Sequence, residues 1–173
     1  MGQAAALPGH AGLAWRMHLH VHPERSALKT VANILTSKAR AGVHTIAPTA
    51  SVFDALRLMA ENNIGSLLVK DGEVIVGLVT ERDYARKVVL LGRASAQTPV
   101  REVMGTAVMF VSPQHTTEQC MALMTQKRLR YLPVMADGQL LGMVSIGDLV
   151  NNIIFEQQFI IEQLEQYISG ERS

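Results

Sequence analysis

The sequence predicts a mixed α/β fold made of a duplicated β-α-β-β-α unit, two small sheets each covered by helices on one face and pressed against its twin. Three observations predict it. Residues from 43 onward match residues from 108 onward without a gap at an offset of 65, so that Pro48 falls on Pro113, Met59 on Met124, Val69 on Val134, Gly77 on Gly142 and Asp83 on Asp148. Each half carries two apolar runs around a turn dipeptide, Asp71-Gly72 or Asp137-Gly138, which is a hairpin signal. A segment of helical periodicity precedes each hairpin and another follows it.

Taken in order, each unit opens with a short strand, at 43–46 and at 108–111, that ends before a proline, as suits a chain leaving a sheet. Ser51 or Thr116 then opens a helix. Val52, Leu56, Met59 and Ala60 share one face of the first helix, and Cys120, Leu123 and Met124 one face of the second. The hairpin and a second helix complete each unit. A lead-in repeats too, "VANIL" at 31 and "VREVM" at 100, with slightly different spacing. The last helix is the longer one: Val150, Ile153, Ile154, Ile160, Ile161, Leu164 and Ile168 form a near-helical stripe that Gly170 can end. These readings divide the chain into an extension at 1–28, one repeat at 29–92, a second at 93–150, and a C-terminal helix at 151–173 whose surplus apolar face predicts self-association as a homodimer.

Composition bounds the function. Of 173 residues, 48% are hydrophobic and 18% charged, with a net charge of +1, a globular balance that predicts no nucleic-acid partner. No apolar run approaches the roughly 18 residues that span a bilayer, and the N-terminus lacks the order of a secretory signal. The one cysteine, Cys120, excludes an intramolecular disulfide and fits a reducing cytoplasm. Residues 1–27 show neither a sustained helical stripe nor a strand bounded by turns and include the only tryptophan, Trp15, so they read as a poorly ordered extension. Leu28 is the expected alternative start, with "ERS" before it a translated ribosome-binding sequence. His18, His20 and His22 would share one face of a strand and could hold zinc or nickel, but an accidental run in a disordered arm is the plainer reading, and no metal is expected.

The chemistry concentrates in "GLVTERD" and "GMVSIGD". A hydroxyl residue followed three positions later by an acid is a capping box, which satisfies free amides at a helix start. In both units, however, it lies where a hairpin hands over to a helix, just after a glycine that lets something approach the backbone closely. A helix start offers unpaired N–H groups to a phosphate, Thr80 or Ser145 adds a donor, and a carboxylate can accept two hydrogen bonds from ribose hydroxyls. The residues describe a nucleotide half-site, present twice.

Gly77 to Asp83 and Gly142 to Asp148 resemble the G-h-h-[ST]-x-x-D signature of CBS domains, and the pair resembles a Bateman module over about residues 29 to 150. With no enzyme or channel domain attached, the chain looks like the stand-alone bacterial CBS-pair proteins. The resemblance implies two repeats packed sheet to sheet about a pseudo-twofold axis, and two clefts that take adenine nucleotides such as AMP, ADP, ATP, NAD or S-adenosylmethionine. It places Asp83 and Asp148 on ribose hydroxyls and Thr80 and Ser145 on phosphate. The base would lie among Thr45, Ile46, Ile64 and Gly65 in one unit and Arg130, Tyr131, Leu132 and Pro133 in the other, with Arg82 and Arg130 as candidate phosphate contacts. Lys127 and Arg128 add charge to the second half alone, so the clefts are expected to be unequal.

No Gly-rich dinucleotide or P-loop motif appears. Cys120 reads as a buried thiol rather than a nucleophile, and His44 and His115 fall at different repeat positions without an evident acid partner, so no catalytic constellation is expected. A ligand-responsive regulator with a protein partner is the leading reading, a ligand-free structural dimer the alternative, and an enzyme acting on nucleotides the remaining one.

Overall fold

The computed structural model describes residues 30–38 and 42–170. The expected extension at 1–28, with Trp15, Leu28 and the three histidines His18, His20 and His22, lies outside the described residues.

Both units follow the duplicated order. Unit 1 runs β1 (Thr45–Ile46), α2 (Val52–Asn62), β2 (Ser66–Asp71), β3 (Val74–Thr80) and α3 (Glu81–Tyr84), which continues as a π-helical turn, Ala85–Val89. Unit 2 runs α4 (Thr117–Lys127), β4 (Tyr131–Ala136), β5 (Gln139–Ser145) and α5 (Ile146–Gly170). Ahead of them come a short helix, α1 (Val31–Ser37), and a 3-10 turn, Val100–Glu102. β1 pairs parallel with β2, and β2 antiparallel with β3. The expected strand at 108–111 shrinks to one parallel bridge between Val111 and Val134, leaving a two-stranded β4-β5 sheet. β1 is likewise shorter than 43–46: His44 still accepts a hydrogen bond from Leu68 N–H at 3.2 Å, and Val43 and His44 line a cleft.

The duplication reaches the irregularities. Both hairpins carry a register shift at matching places, between Val69 and Lys70 and between Val134 and Met135. Asp137 and Gly138 both take positive φ, the signature of a tight hairpin turn, and the first hairpin turns at the matching position, on Gly72 at φ +58°, one residue past the start of its Asp71-Gly72 dipeptide. α2 and α4 are both capped as expected, with Ser51 Oγ accepting from Asp54 N–H and Thr116 Oγ1 from Gln119 N–H. The α2 core face is Val52, Ala55 and Met59; Ala60 is exposed, one step off the expected stripe.

The lead-ins change places. Val31 and Ile34 of α1 are buried with Val111, Cys120, Met124 and Leu132 in the core of unit 2, while Val100 and Val103 are buried with Val52, Met59 and Leu67 in the core of unit 1. The docking bonds are the same in both directions. Val31 and Ala32 N–H donate to the carbonyls of His115 and Pro113 at 2.9 and 3.0 Å; Val100 and Arg101 N–H donate to those of Ala50 and Pro48 at 2.8 and 3.0 Å. Neither core is therefore complete without a segment that precedes the other unit.

Candidate functional site

Each "hydroxyl-x-x-Asp" motif sits where β3 meets α3, or β5 meets α5, and folds as a capping box. Thr80 N–H and Oγ1–H both donate to Asp83 Oδ2, at 3.1 and 2.7 Å, and Asp83 N–H donates back to Thr80 Oγ1 at 3.2 Å. Ser145 N–H and Oγ–H donate to Asp148 Oδ2 at 2.6 and 2.7 Å, with Asp148 N–H returning to Ser145 Oγ at 3.2 Å. The amide of the first residue in each helix is engaged as well, Glu81 N–H by Gly65 O at 3.2 Å and Ile146 N–H by Arg130 O at 2.9 Å. The helix starts thus offer fewer unpaired amides than the sequence alone suggests.

The aspartates differ in what else they hold. Asp83 Oδ1 pairs with Lys87 Nζ at 2.9 Å, and Lys87 also donates to Val103 O at 2.6 Å. Asp148 pairs with Lys38 Nζ at 2.6 Å through Oδ2, the oxygen already bonded to Ser145, and Lys38 also donates to Met143 O at 2.8 Å. Asp148 Oδ1 therefore has no partner among the described residues, whereas both oxygens of Asp83 are in use. Sequence reasoning missed both lysines. Lys87 stands four residues after Asp83 on one helical face, a spacing that signals an ion pair; Lys38 gave no such signal, because it reaches Asp148 only through the exchange of α1.

Two clefts lie between the units. The smaller, about 220 Å³, joins Thr80, Arg82 and Asp83 of unit 1 to Arg130, Tyr131 and Pro133 of unit 2. The larger, about 840 Å³, joins Ser145 and Asp148 of unit 2 to Ile64 and Gly65 of unit 1, with Lys38 and His44. Each motif thus faces the segment before the other unit's hairpin. Gly65, Arg130 and Tyr131 line both clefts. A β-carbon at Gly65 would collide with the Tyr131 hydroxyl, so the glycine is what admits the ring. Burial pushes the Tyr131 phenol above its ordinary range, and nearby Glu81 adds to the rise while Arg130 and Arg82 oppose it. The phenol is neutral at pH 7 and can donate a hydrogen bond.

Three expected contacts line neither cleft. Leu132 is fully buried in the core of unit 2, Ile46 packs on the core of unit 1, and Thr45 is exposed where it pairs with Leu68 in the sheet. Strand alternation explains the first two, since a side chain turned into a core is turned away from the cleft. His44 and Val43, just before β1, take the cleft positions. The signature glycines also serve a different neighbour than expected. A β-carbon at Gly77 would lie 2.6 Å from Met104 Sδ, and one at Gly142 2.7 Å from Leu35 Cδ2, so what approaches these strands is the end of an exchanged lead-in.

The family model for the CBS domain matches residues 31–90 and again 100–154. This chain belongs to the CBS-domain family. Its sequence is 39% identical over 125 residues to the mitochondrial CBS domain-containing protein CBSX3 of Arabidopsis thaliana, a match covering 69% of this chain and 61% of that protein. It is 36% identical over 110 residues to the CBS domain-containing protein YhcV of Bacillus subtilis, covering 64% and 78% respectively. Among solved structures, a CBS-domain protein of Burkholderia ambifaria is similar with a TM-score of 0.72 and 52% identity, over 74% of this chain and 96% of that one. The hexameric CBS-CP12 protein of bloom-forming cyanobacteria is similar at 30% identity and a TM-score of 0.65, over 72% and 67%. As a CBS pair, the chain has the α/β architecture of two packed repeats that its duplication predicts. Among the described residues, no helix is long and apolar enough to cross a membrane.

Proposed function

We propose that this CBS pair is a regulatory module that binds an adenine nucleotide of the AMP, ATP or NAD kind in its larger cleft and passes the resulting change of shape to a protein partner. The observation that carries the reading is Asp148, which lines a cleft of about 840 Å³, a size typical of small-molecule sites, with one carboxylate oxygen held by Ser145 and Lys38 and the other without a partner among the described residues. That oxygen has room for two donors, as a ribose diol presents. Arg130 and Lys38 lie in the same cleft for phosphate. The architecture supports a route for the signal, because Lys38 closes α1 and α1 is part of the core of unit 2. Ligand and helix therefore share one aspartate.

Self-association as a homodimer belongs to the same proposal. Beyond residue 156 every residue of α5 is exposed, including Phe159, Ile160, Ile161 and Leu164, and a structural relative is described as hexameric. The buried, unpaired Cys120 agrees with a reducing compartment such as the cytoplasm. A ligand-free structural dimer is the second reading, and one observation favours it: both capping boxes are closed, with each aspartate already paired to a lysine.

Thermal unfolding against AMP, ADP, ATP, NAD and S-adenosylmethionine separates the two. A ligand of the native state raises the midpoint by mass action, by the equivalent of about 2.7 kcal/mol at a hundredfold excess over Kd. The expected result is a concentration-dependent rise with at least one of them that Asp148→Ala reduces to the weaker response of the smaller cleft. A flat panel across all five would favour the structural dimer.

A further inference from the structure

We propose that Lys87 makes the two clefts unequal, by holding the outer oxygen of Asp83 and so keeping the smaller cleft closed to a ribose until that ion pair opens. The inference rests on the nucleotide reading above and adds a gate to it. A carboxylate has about four acceptor positions. On Asp83, Thr80 takes two through Oδ2, and Lys87 takes one of the two on Oδ1, leaving a single position for a diol that needs two. Asp148 receives three donors as well, but Ser145 N–H, Ser145 Oγ–H and Lys38 Nζ all crowd onto Oδ2, and Oδ1 is left untouched.

Lys87 lines neither cleft and acts only through Asp83, and the two clefts differ in size in the same direction. The Asp83 cleft, at about 220 Å³, falls below the range of roughly 300–1,000 Å³ typical of small-molecule sites, and the Asp148 cleft, at about 840 Å³, falls inside it. Lys87 is also fixed at a second point. Its ammonium donates to Val103 O at 2.6 Å, and Val103 is fully buried in the core of unit 1. The ammonium is therefore held by two acceptors at once rather than free to swing aside. The repeat shows that this is a choice of one half, because position 87 matches Asn152, whose amide donates to Thr117 Oγ1 at 3.1 Å and makes no such pair. Opening the smaller cleft means breaking an ion pair that also pins the lead-in of unit 2.

The test is calorimetric titration of the full chain with AMP and with ATP in an Asp148→Ala background, where binding reports the smaller cleft alone. Lys87→Met removes the charge, and Lys87→Asn writes the other half's residue into this one. If the lysine is a gate, both substitutions tighten binding roughly threefold to fivefold, the scale of a part-exposed ion pair, and a further Asp83→Ala abolishes what was gained. If the lysine instead attracts phosphate, both substitutions weaken binding, and the proposal is overturned; unchanged affinity overturns it equally. Lys87→Gln, which retains a donor for Val103 O, serves in place of either variant that fails to match the unfolding midpoint of its parent. Absence of binding in every protein, including the parent chain with Asp148 intact, would remove the nucleotide reading itself, an outcome distinct from binding that ignores position 87.

Discussion

A β-carbon at Gly77 would lie 3.0 Å from the backbone oxygen of Gly105 as well as 2.6 Å from Met104 Sδ, whereas the atoms nearest one at Gly142 all belong to the Leu35 side chain. A leucine tip can turn aside and a backbone carbonyl cannot. Gly77→Ala is therefore expected to cost about 2–3 kcal/mol and Gly142→Ala about 1 kcal/mol, within the usual span for overpacking, as read from urea unfolding midpoints. Leu35→Ala combined with Gly142→Ala should cost less than the two single changes together, because the smaller side chain makes room for the added methyl. Equal costs at the two glycines would mean that the lead-ins press on both strands alike. The signature positions themselves were legible: spacing alone marked Thr80, Asp83, Ser145 and Asp148, and all four line the clefts. The purpose of the glycines was not, because a glycine in a strand announces a close neighbour without saying whether that neighbour is a ligand or the chain itself. The lysines were hidden for a related reason, since Lys38 is 110 residues from Asp148 and meets it only in the folded chain.

Among the elements, the hairpins and capped helices were readable because their signals are local: an Asp-Gly turn, a Ser or Thr cap, an apolar stripe. The strand at 108–111 was overestimated, since its apolar residues serve Val111 in a core and Val108 and Met109 in a cleft, and only Val111 bridges to the sheet. The exchange of lead-ins was invisible to a reading that assigns each segment to the unit that follows it. It carries a clear expectation. Val31 and Val100 are both fully buried, each in the core of the unit it does not lead into directly. Val31→Ala should lower hydrogen-exchange protection chiefly in β4 and β5, and Val100→Ala chiefly in β2 and β3. Each should cost about 2 kcal/mol, the order for buried aliphatic truncation. Loss of protection in β2 and β3 on changing Val31 would contradict the exchange.

For the whole molecule, the question is what the exposed half of α5 is for. Its first turns are anchored by fully buried Leu149 and by the Asn152 amide on Thr117, but past residue 156 its side chains are exposed, with Phe159 at 61%, Leu164 at 57% and Tyr167 at 67%. A run of this length and apolarity left in water would be a liability for solubility unless another surface covers it. The helix carries Glu156, Glu162 and Glu165 and no Lys or Arg, so like faces would repel at close quarters unless the acids lie to the sides of the apolar seam. Removal of residues 157–173 should therefore leave the unfolding midpoint of the CBS pair within a few degrees of the full chain, while lowering the mass measured by light scattering to that of one protomer. Phe159→Glu together with Leu164→Glu should do the same without shortening the chain. If the truncated protein keeps the mass of the full chain, association runs through the faces of the repeats instead. In that case α5 would be the surface available to the protein partner of the proposed regulatory module.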